Sequence, residues 1–265
     1  MLILFLKVAL VMYMGSFYAT WDPNEKNAKI KMFAPLLIGA ISVIIVALGG
    51  DLGTAAIMCA LMALTFVVIP TKDILFKKIK VLAYGGLAFC ILFLMFGYLV
   101  LPDRVLEDGG RLARFYYKDA CGRYEDTGYQ VCNGYIAMNN GGLTGVGLGN
   151  STQKYLYLDE SHTDFIFPII IEEFGVLSGI LIILLYMVLI YLIFRVASNT
   201  HKLQNSIICY GLGIYFMLHI LINLAGVLGV FPVTGVPLPF LSYGGSFCIS
   251  MIGTFAIIQR INIEN

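Results

Sequence analysis

The stretch Ser161-His162-Thr163-Asp164-Phe165-Ile166-Phe167-Pro168 places one carboxylate at the mouth of a long apolar run. A charge at the edge of a bilayer is costly unless it is wet, paired or used. A positioned carboxylate can take a proton from a weakly nucleophilic hydroxyl, as a general base does. Asp164 can also cap a helix, because Asp, Ser and Thr are good N-caps and an anion is favoured at a helix N-terminus. Pro168 fits a first helical turn, and the two roles can coexist. Glu172 and Glu173 follow inside the apolar run. On a continuous helix the step from Asp164 to Glu172 is about 12 Å. That is too far for the close carboxylate pair of a retaining glycosidase. Carboxylates within a membrane are either functional or paired, and both readings stay open for these two.

Cations are the natural counterpart of an anionic substrate. Lys7 lies in an apolar run near the chain start; it either snorkels to the interface or faces a polar cavity. Arg111 and Arg114, three apart, share a face if their segment is helical. They form either a solvated face or an anion clamp suited to a pyrophosphate. Asp51 follows Gly49-Gly50 and reads as an N-cap. His219, inside an apolar run without a second ligand-spaced residue, reads as a packed residue rather than a metal ligand. Cys59, Cys90, Cys209 and Cys248 sit in separate apolar runs and read as small hydrophobes. Cys121 and Cys132 share one polar segment. If that segment lies outside the cell, the compartment permits a disulfide; two free thiols are the alternative.

Two glycine-rich stretches remain. Gly141, Gly142, Gly145, Gly147 and Gly149 precede Asn150. As a phosphate loop they are weak, with no Gly-Lys-Ser/Thr and no preceding strand, and a turn-rich loop is the plainer reading. The stretch Pro232-Val-Thr-Gly-Val-Pro-Leu-Pro-Phe-Leu-Ser-Tyr-Gly-Gly-Ser246 cannot form a regular helix. Non-helical backbone at membrane depth is tolerated only where protein or a water-filled cavity satisfies it, so this segment is expected to line a cavity.

These residues must be held by membrane helices. Apolar residues make up 59% of the 265 and charged residues only 12%, against about 25% charged in a soluble domain. Mean hydropathy is +0.87. The expected fold is an all-α polytopic membrane protein. No polybasic stretch suits nucleic acid, and the net charge of +1 points to no partner. A span needs roughly 20 apolar residues. About seven runs qualify: 2–20, 33–49, 52–70, 81–101, 166–195, 206–230 and 243–259. The run 166–195, near 45 Å as one helix, is expected to tilt or project. Lys26, Lys29 and Lys31, then Lys72, Lys77, Lys78 and Lys80, then Arg195 and Lys202, then Arg260 all fall on one side when spans alternate. The positive-inside rule makes that side cytoplasmic. Segment 102–165 is then a large extracytoplasmic loop, whose Asp103–Lys118 portion can form a surface helix. Seven spans leave Met1 outside: either the first span inserts with its N-terminus outward, or an odd number of spans precedes it, and the second is the favoured expectation.

Several motifs together resemble one family. They are Gly128-Tyr129-Gln130, Gly141-Gly142-Leu143 through Gly149-Asn150, Gln153-Lys154, His162-Thr163-Asp164-Phe165, Glu172-Glu173-Phe-Gly175, Asp51-Leu-Gly-Thr54 and Pro232 to Gly245. Along its whole length the chain resembles the SEDS family (shape, elongation, division and sporulation), whose members include FtsW, RodA and SpoVE. The surroundings of Gly128-Tyr129-Gln130 and Asn133-Gly134-Tyr135 lean toward FtsW. The resemblance is to the last seven of ten spans, which accounts for the parity. It implies one membrane domain over 1–265 in the bacterial plasma membrane, with its catalytic face outside. The implied activity is a peptidoglycan glycosyltransferase that polymerises lipid II. The implied partners are a class B penicillin-binding protein and other membrane proteins of division or elongation. Asp164 matches the family's proposed catalytic aspartate. Substrate contacts would fall to Lys7, Arg111, Arg114, Lys154, His162, Thr163, Ser242 and Gly244, with support from Asp51, Glu172 and Glu173.

The chemistry of the residues is compatible with that reading. Asp164 would deprotonate the acceptor 4-hydroxyl as it attacks the anomeric carbon. Positive charge would stabilise the departing undecaprenyl pyrophosphate, from Lys7, Arg111, Arg114 or a divalent cation such as Mg or Mn. Two rivals are a lipid II flippase, which needs a polar path across the bundle, and a non-catalytic scaffold.

Overall fold

The computed structural model describes residues 2–22, 28–70, 77–81, 85, 121–122, 128–158, 161–231 and 233–265. All regular structure among them is helical: α1 (Leu2–Thr20), α2 (Ala28–Lys31), α3 (Ala34–Leu48), α4 (Leu52–Val68), α5 (Tyr129–Gly141), α6 (Gln153–Leu156), α7 (Ile166–Phe174), α8 (Val176–Asn199), α9 (Leu203–Val227) and α10 (Gly245–Ile263). Four of these, α1, α8, α9 and α10, are long and apolar enough to cross a membrane. The runs 33–49 and 52–70 give α3 and α4, of 15 and 17 residues. The run 81–101 and the Asp103–Lys118 portion fall almost wholly outside the described residues.

The predicted single helix over 166–195 is two helices. α7 ends at Gly175, whose backbone (φ 84°, ψ 168°) is open mainly to glycine, and α8 begins at Val176. The break relieves the predicted excess length: α8 alone has 24 residues, about 36 Å.

The chain forms two compact units. The first comprises residues 1–90, 188–218 and 245–265. In it α3 and α4 form the expected hairpin. Gly50, at φ 85°, makes the turn, and the Asp51 carboxylate caps α4 by accepting from Thr54 N at 2.9 Å. Glycines let these helices touch. A β-carbon on Gly39 would overlap Met62 Sδ, one on Gly15 would overlap Ile208, and one on Gly211 would stand 2.5 Å from Val11. Small residues at helix interfaces are the usual device in a bilayer, where lipid and side chain are equally apolar. The core gathers Leu10, Met14, Tyr18, Met32, Phe66, Ile69 and Ile207, with the Tyr18 hydroxyl donating to Met32 O at 3.0 Å.

The second unit comprises residues 91–187 and 219–244. Within it α5 packs on α7 and α6. A disulfide joins Cys121 to Cys132 on α5, with 5.0 Å between their α-carbons. Gly134 faces the Phe165 ring, 3.3 Å from where a β-carbon would stand. Tyr135 slots its hydroxyl beneath Gly229 in the turn after α9, where a β-carbon would overlap it. Burial pushes the Tyr135 phenol above its ordinary pKa.

Candidate active site

Two polar constructions stand out in the second unit. The first fastens the glycine-rich loop to α7. Val146 N donates to Glu172 O at 2.9 Å, Gly147 N to Glu173 O at 3.0 Å, and Val176 N to Gly142 O at 2.9 Å. A β-carbon at Gly141, Gly145 or Gly175 would overlap a backbone carbonyl oxygen, of Ile171, Glu173 and Leu143 respectively. The glycines therefore serve backbone-on-backbone packing at the α7–α8 break. Glu172, 1% exposed, accepts from Ser151 Oγ, Thr152 Oγ1 at 3.1 Å and Asn140 Nδ2 at 3.3 Å. Lys154 is ion-paired with Glu173. That hydrogen bond holds the Lys154 ammonium above its ordinary pKa. Of the two open readings of these glutamates, the geometry bears the paired one.

The second construction surrounds Asp164. The N-cap position of α7 falls on Phe165, not on Asp164. Asp164 thus precedes the helix, and helical spacing does not fix its distance to Glu172. Its backbone is tied down by residues far along the chain. Asn223 Nδ2 donates to Asp164 O at 2.9 Å and to Val236 O at 2.7 Å. Ser242 Oγ donates to Thr163 O at 2.7 Å and accepts from Leu238 N at 2.7 Å. Tyr243 N donates to His162 O at 2.8 Å, and the His162 and Tyr243 rings lie 5.8 Å apart.

The proline-rich segment is what these bonds hold. Its backbone is irregular from Val233 to Gly244, as its prolines dictate. Phe240 adopts φ 63°, a conformation a bulky residue holds only when its surroundings force it, at about 1–3 kcal/mol. Tyr186 on α8 anchors the neighbouring peptide by donating to Pro239 O at 2.5 Å. Gly235, at φ 71°, brings backbone toward the carboxylate; a β-carbon there would stand 3.4 Å from Asp164 Oδ2. Asp164, Phe165, Asn223, Thr234 and Gly235 line an open crevice.

Residues 4–265 match the family model FTSW_RODA_SPOVE, described as cell cycle protein. The chain belongs to the FtsW/RodA/SpoVE family. It is 34% identical over 260 residues to the probable peptidoglycan glycosyltransferase FtsW of Bacillus subtilis (strain 168), covering 98% of this chain and 63% of that protein. It is 32% identical over 269 residues to the protein of the same name from Haemophilus influenzae, covering 98% and 64%. The chain thus spans just under two thirds of the length of these relatives. Two solved structures share the fold. One, described as structural coordination of polymerization and crosslinking by a peptidoglycan synthase complex, has a TM-score of 0.68 at 20% identity, covering 99% of this chain and 69% of that one. The other, an aspartate-to-alanine mutant of the rod shape determining protein RodA from Thermus thermophilus, has a TM-score of 0.59 at 19% identity, covering 99% and 65%. The chain is a multi-pass, all-α membrane protein.

Of the site residues predicted for this family member, His162, Thr163, Asp164 and Ser242 come together, with Gly244 next to Tyr243. Lys154, Glu172 and Glu173 form the loop-fastening cluster. Lys7 and Asp51 belong to the first unit. Lys7 is 2% exposed, so its ammonium does not snorkel, and the carboxylate acting on it is Asp51. Arg111 and Arg114 lie outside the described residues. Sequence reasoning missed Asn223 and Tyr186; Thr234 belongs to the proline-rich segment expected to line a cavity, and it lines the crevice. The signal for Asn223 was available: an amide inside an apolar span needs partners.

Proposed function

We propose that this chain is the polymerising part of a peptidoglycan glycosyltransferase, joining lipid II into β-1,4 glycan with release of undecaprenyl pyrophosphate. The observation that carries this reading is the family match from residue 4 to 265, among relatives bearing the name probable peptidoglycan glycosyltransferase. Asp164, at the extracytoplasmic mouth of the bundle, is the general base. It takes the proton of the acceptor 4-hydroxyl while that oxygen bonds to the donor's anomeric carbon. The bond from that carbon to the pyrophosphate oxygen breaks, and the electron pair leaves with the lipid pyrophosphate. Direct attack inverts the α-linked donor, with no covalent sugar intermediate. The tethers from Asn223, Ser242 and Tyr243 support this role, since a base acts only from fixed geometry.

Lys7, Arg111 and Arg114 are proposed to bind the pyrophosphate or its surroundings. Among the described residues no group of three or more His, Cys, Asp and Glu could hold a metal ion. A divalent cation, Mg or Mn, would be held mainly by substrate phosphates, as magnesium commonly is. A class B penicillin-binding protein, supplying crosslinks, is the proposed partner, within either the division or the elongation machinery. The structural relative whose description joins polymerization to crosslinking is consistent with that pairing. The direct test is polymerisation of labelled lipid II by purified protein in detergent, set against translocation in sealed liposomes. Glycan product in detergent supports the polymerase; translocation without product supports a flippase.

A further inference from the structure

The crevice beside Asp164 has an unusual polar lining. Asn223 is 5% exposed, and its Nδ2 is spent on the carbonyls of Asp164 and Val236. Among the described residues its Oδ1 receives no hydrogen bond and Thr234 Oγ1 has no partner either; both atoms are shielded. Both residues line the crevice with Asp164 and Gly235, against walls that include Phe165 and Val236. A buried acceptor left unmatched is destabilising, so two at one place, next to a carboxylate, call for a donor from outside the chain. The room open to the centre of a water-sized group is about 10 Å³, enough for a single oxygen. The lining thus offers unmatched polar oxygens, and the crevice has room for one hydroxyl at its floor.

We propose that Asn223 and Thr234 form a hydroxyl-recognition subsite that orients the attacking sugar beside Asp164. This rests on the polymerase reading above and adds the residues that select the acceptor. A glycan hydroxyl donates to Asn223 Oδ1 or receives from and donates to Thr234 Oγ1, and the sugar is thereby turned so that its 4-hydroxyl faces Asp164. Gly235 is required because its positive φ and missing β-carbon let backbone and sugar share the space next to Asp164 Oδ2. Asn223 does two jobs, holding the Asp164 peptide with its nitrogen and reading the acceptor with its oxygen.

Thr234 gives the clean test, because its hydroxyl holds nothing in the protein. If it were merely structural, Thr234→Val, which keeps the shape and removes an unmatched oxygen, would leave stability and turnover unchanged or improved. Under the proposal, Thr234→Val in the full protein lowers kcat/KM for lipid II about tenfold or more at an unchanged unfolding temperature. Thr234→Ser, which keeps the oxygen, recovers most of the loss. Wild-type turnover by Thr234→Val overturns the subsite while leaving the polymerase reading intact. Recovery of Thr234→Val by raised Mg or Mn overturns it in favour of a cation at this place. Failure of the wild-type protein itself to bind or polymerise lipid II overturns both.

Discussion

A carboxylate in a membrane protein is defined by what donates to it. Glu172 is saturated by Ser151, Thr152 and Asn140, so its charge is used to hold a loop. Truncation strands four donors at once, since Thr152 donates from both its backbone nitrogen and its hydroxyl. Hydrogen bonds to charged groups contribute about 1.5–3 kcal/mol each, and the effects overlap. Glu172→Ala should therefore lower stability by roughly 3 kcal/mol, read from thermal unfolding in detergent. A change below about 0.5 kcal/mol, the range of ordinary surface substitutions, would show that the glutamate is not a fastening. The sequence suggested a carboxylate with a task at positions 164, 172 and 173, but not which task. The donors to Glu172 lie 20 or more residues away, and pairing over such separations leaves no mark in local spacing. Asp164 drew attention for the opposite reason: its motif immediately precedes a long apolar run, where a carboxylate is conspicuous.

At the scale of elements, glycine placement explains the loop that failed as a phosphate cradle. Gly145 and Gly142 make an internal comparison, since both have positive φ, 82° and 49°. A β-carbon at Gly145 would overlap the Glu173 carbonyl, whereas one at Gly142 meets nothing within 4 Å. Gly142→Ala should cost the strain of a backbone conformation open mainly to glycine (φ 49°, ψ −143°), about 1–3 kcal/mol. Gly145→Ala should cost clearly more, because rigid backbone must move as well. Equal unfolding temperatures for the two variants would contradict the close-packed loop. The disulfide belongs to the same scale. Cys121 and Cys132 close a loop of 11 residues in sequence separation, for which chain entropy gives roughly 2.5–3 kcal/mol. Mass spectrometry of non-reduced peptides should find the linked pair, and two free thiols in oxidised protein would refute it. Among the described residues, sequence reading found the apolar helices because apolar runs are long and continuous. It missed the break at Gly175, since an apolar run reads the same whether or not one glycine inside it takes φ 84°.

At the scale of the whole molecule, charge sets orientation. In the proposed orientation, which rests on the positive-inside rule, the Lys-rich short connections put Lys77 in the cytoplasm and segment 102–165 outside. A cysteine introduced at Lys77 should resist impermeant maleimide in intact cells, while one introduced at Tyr155, 70% exposed, should react. Labelling at Lys77 would reverse the topology and put Asp164 on the wrong side for an extracytoplasmic reaction. The all-helical membrane class was legible in composition alone. The tethering of His162-Thr163-Asp164 by Asn223, Ser242 and Tyr243 was not, because it joins residues 59 to 81 apart through backbone carbonyls that any residue type would supply. Turnover is where orientation, tether and charge meet. Asp164→Asn keeps the side chain's shape but removes the proton acceptor, and it leaves the Asn223 bond, which is made to the backbone, in place. A general base contributes typically 10²–10⁴-fold. Polymerisation of labelled lipid II by Asp164→Asn, in the complete protein, should fall by at least about a hundredfold while lipid II binding and unfolding temperature hold. Polymerisation at more than about a tenth of the wild-type rate would fall short of that range and contradict the assignment of Asp164 as the base.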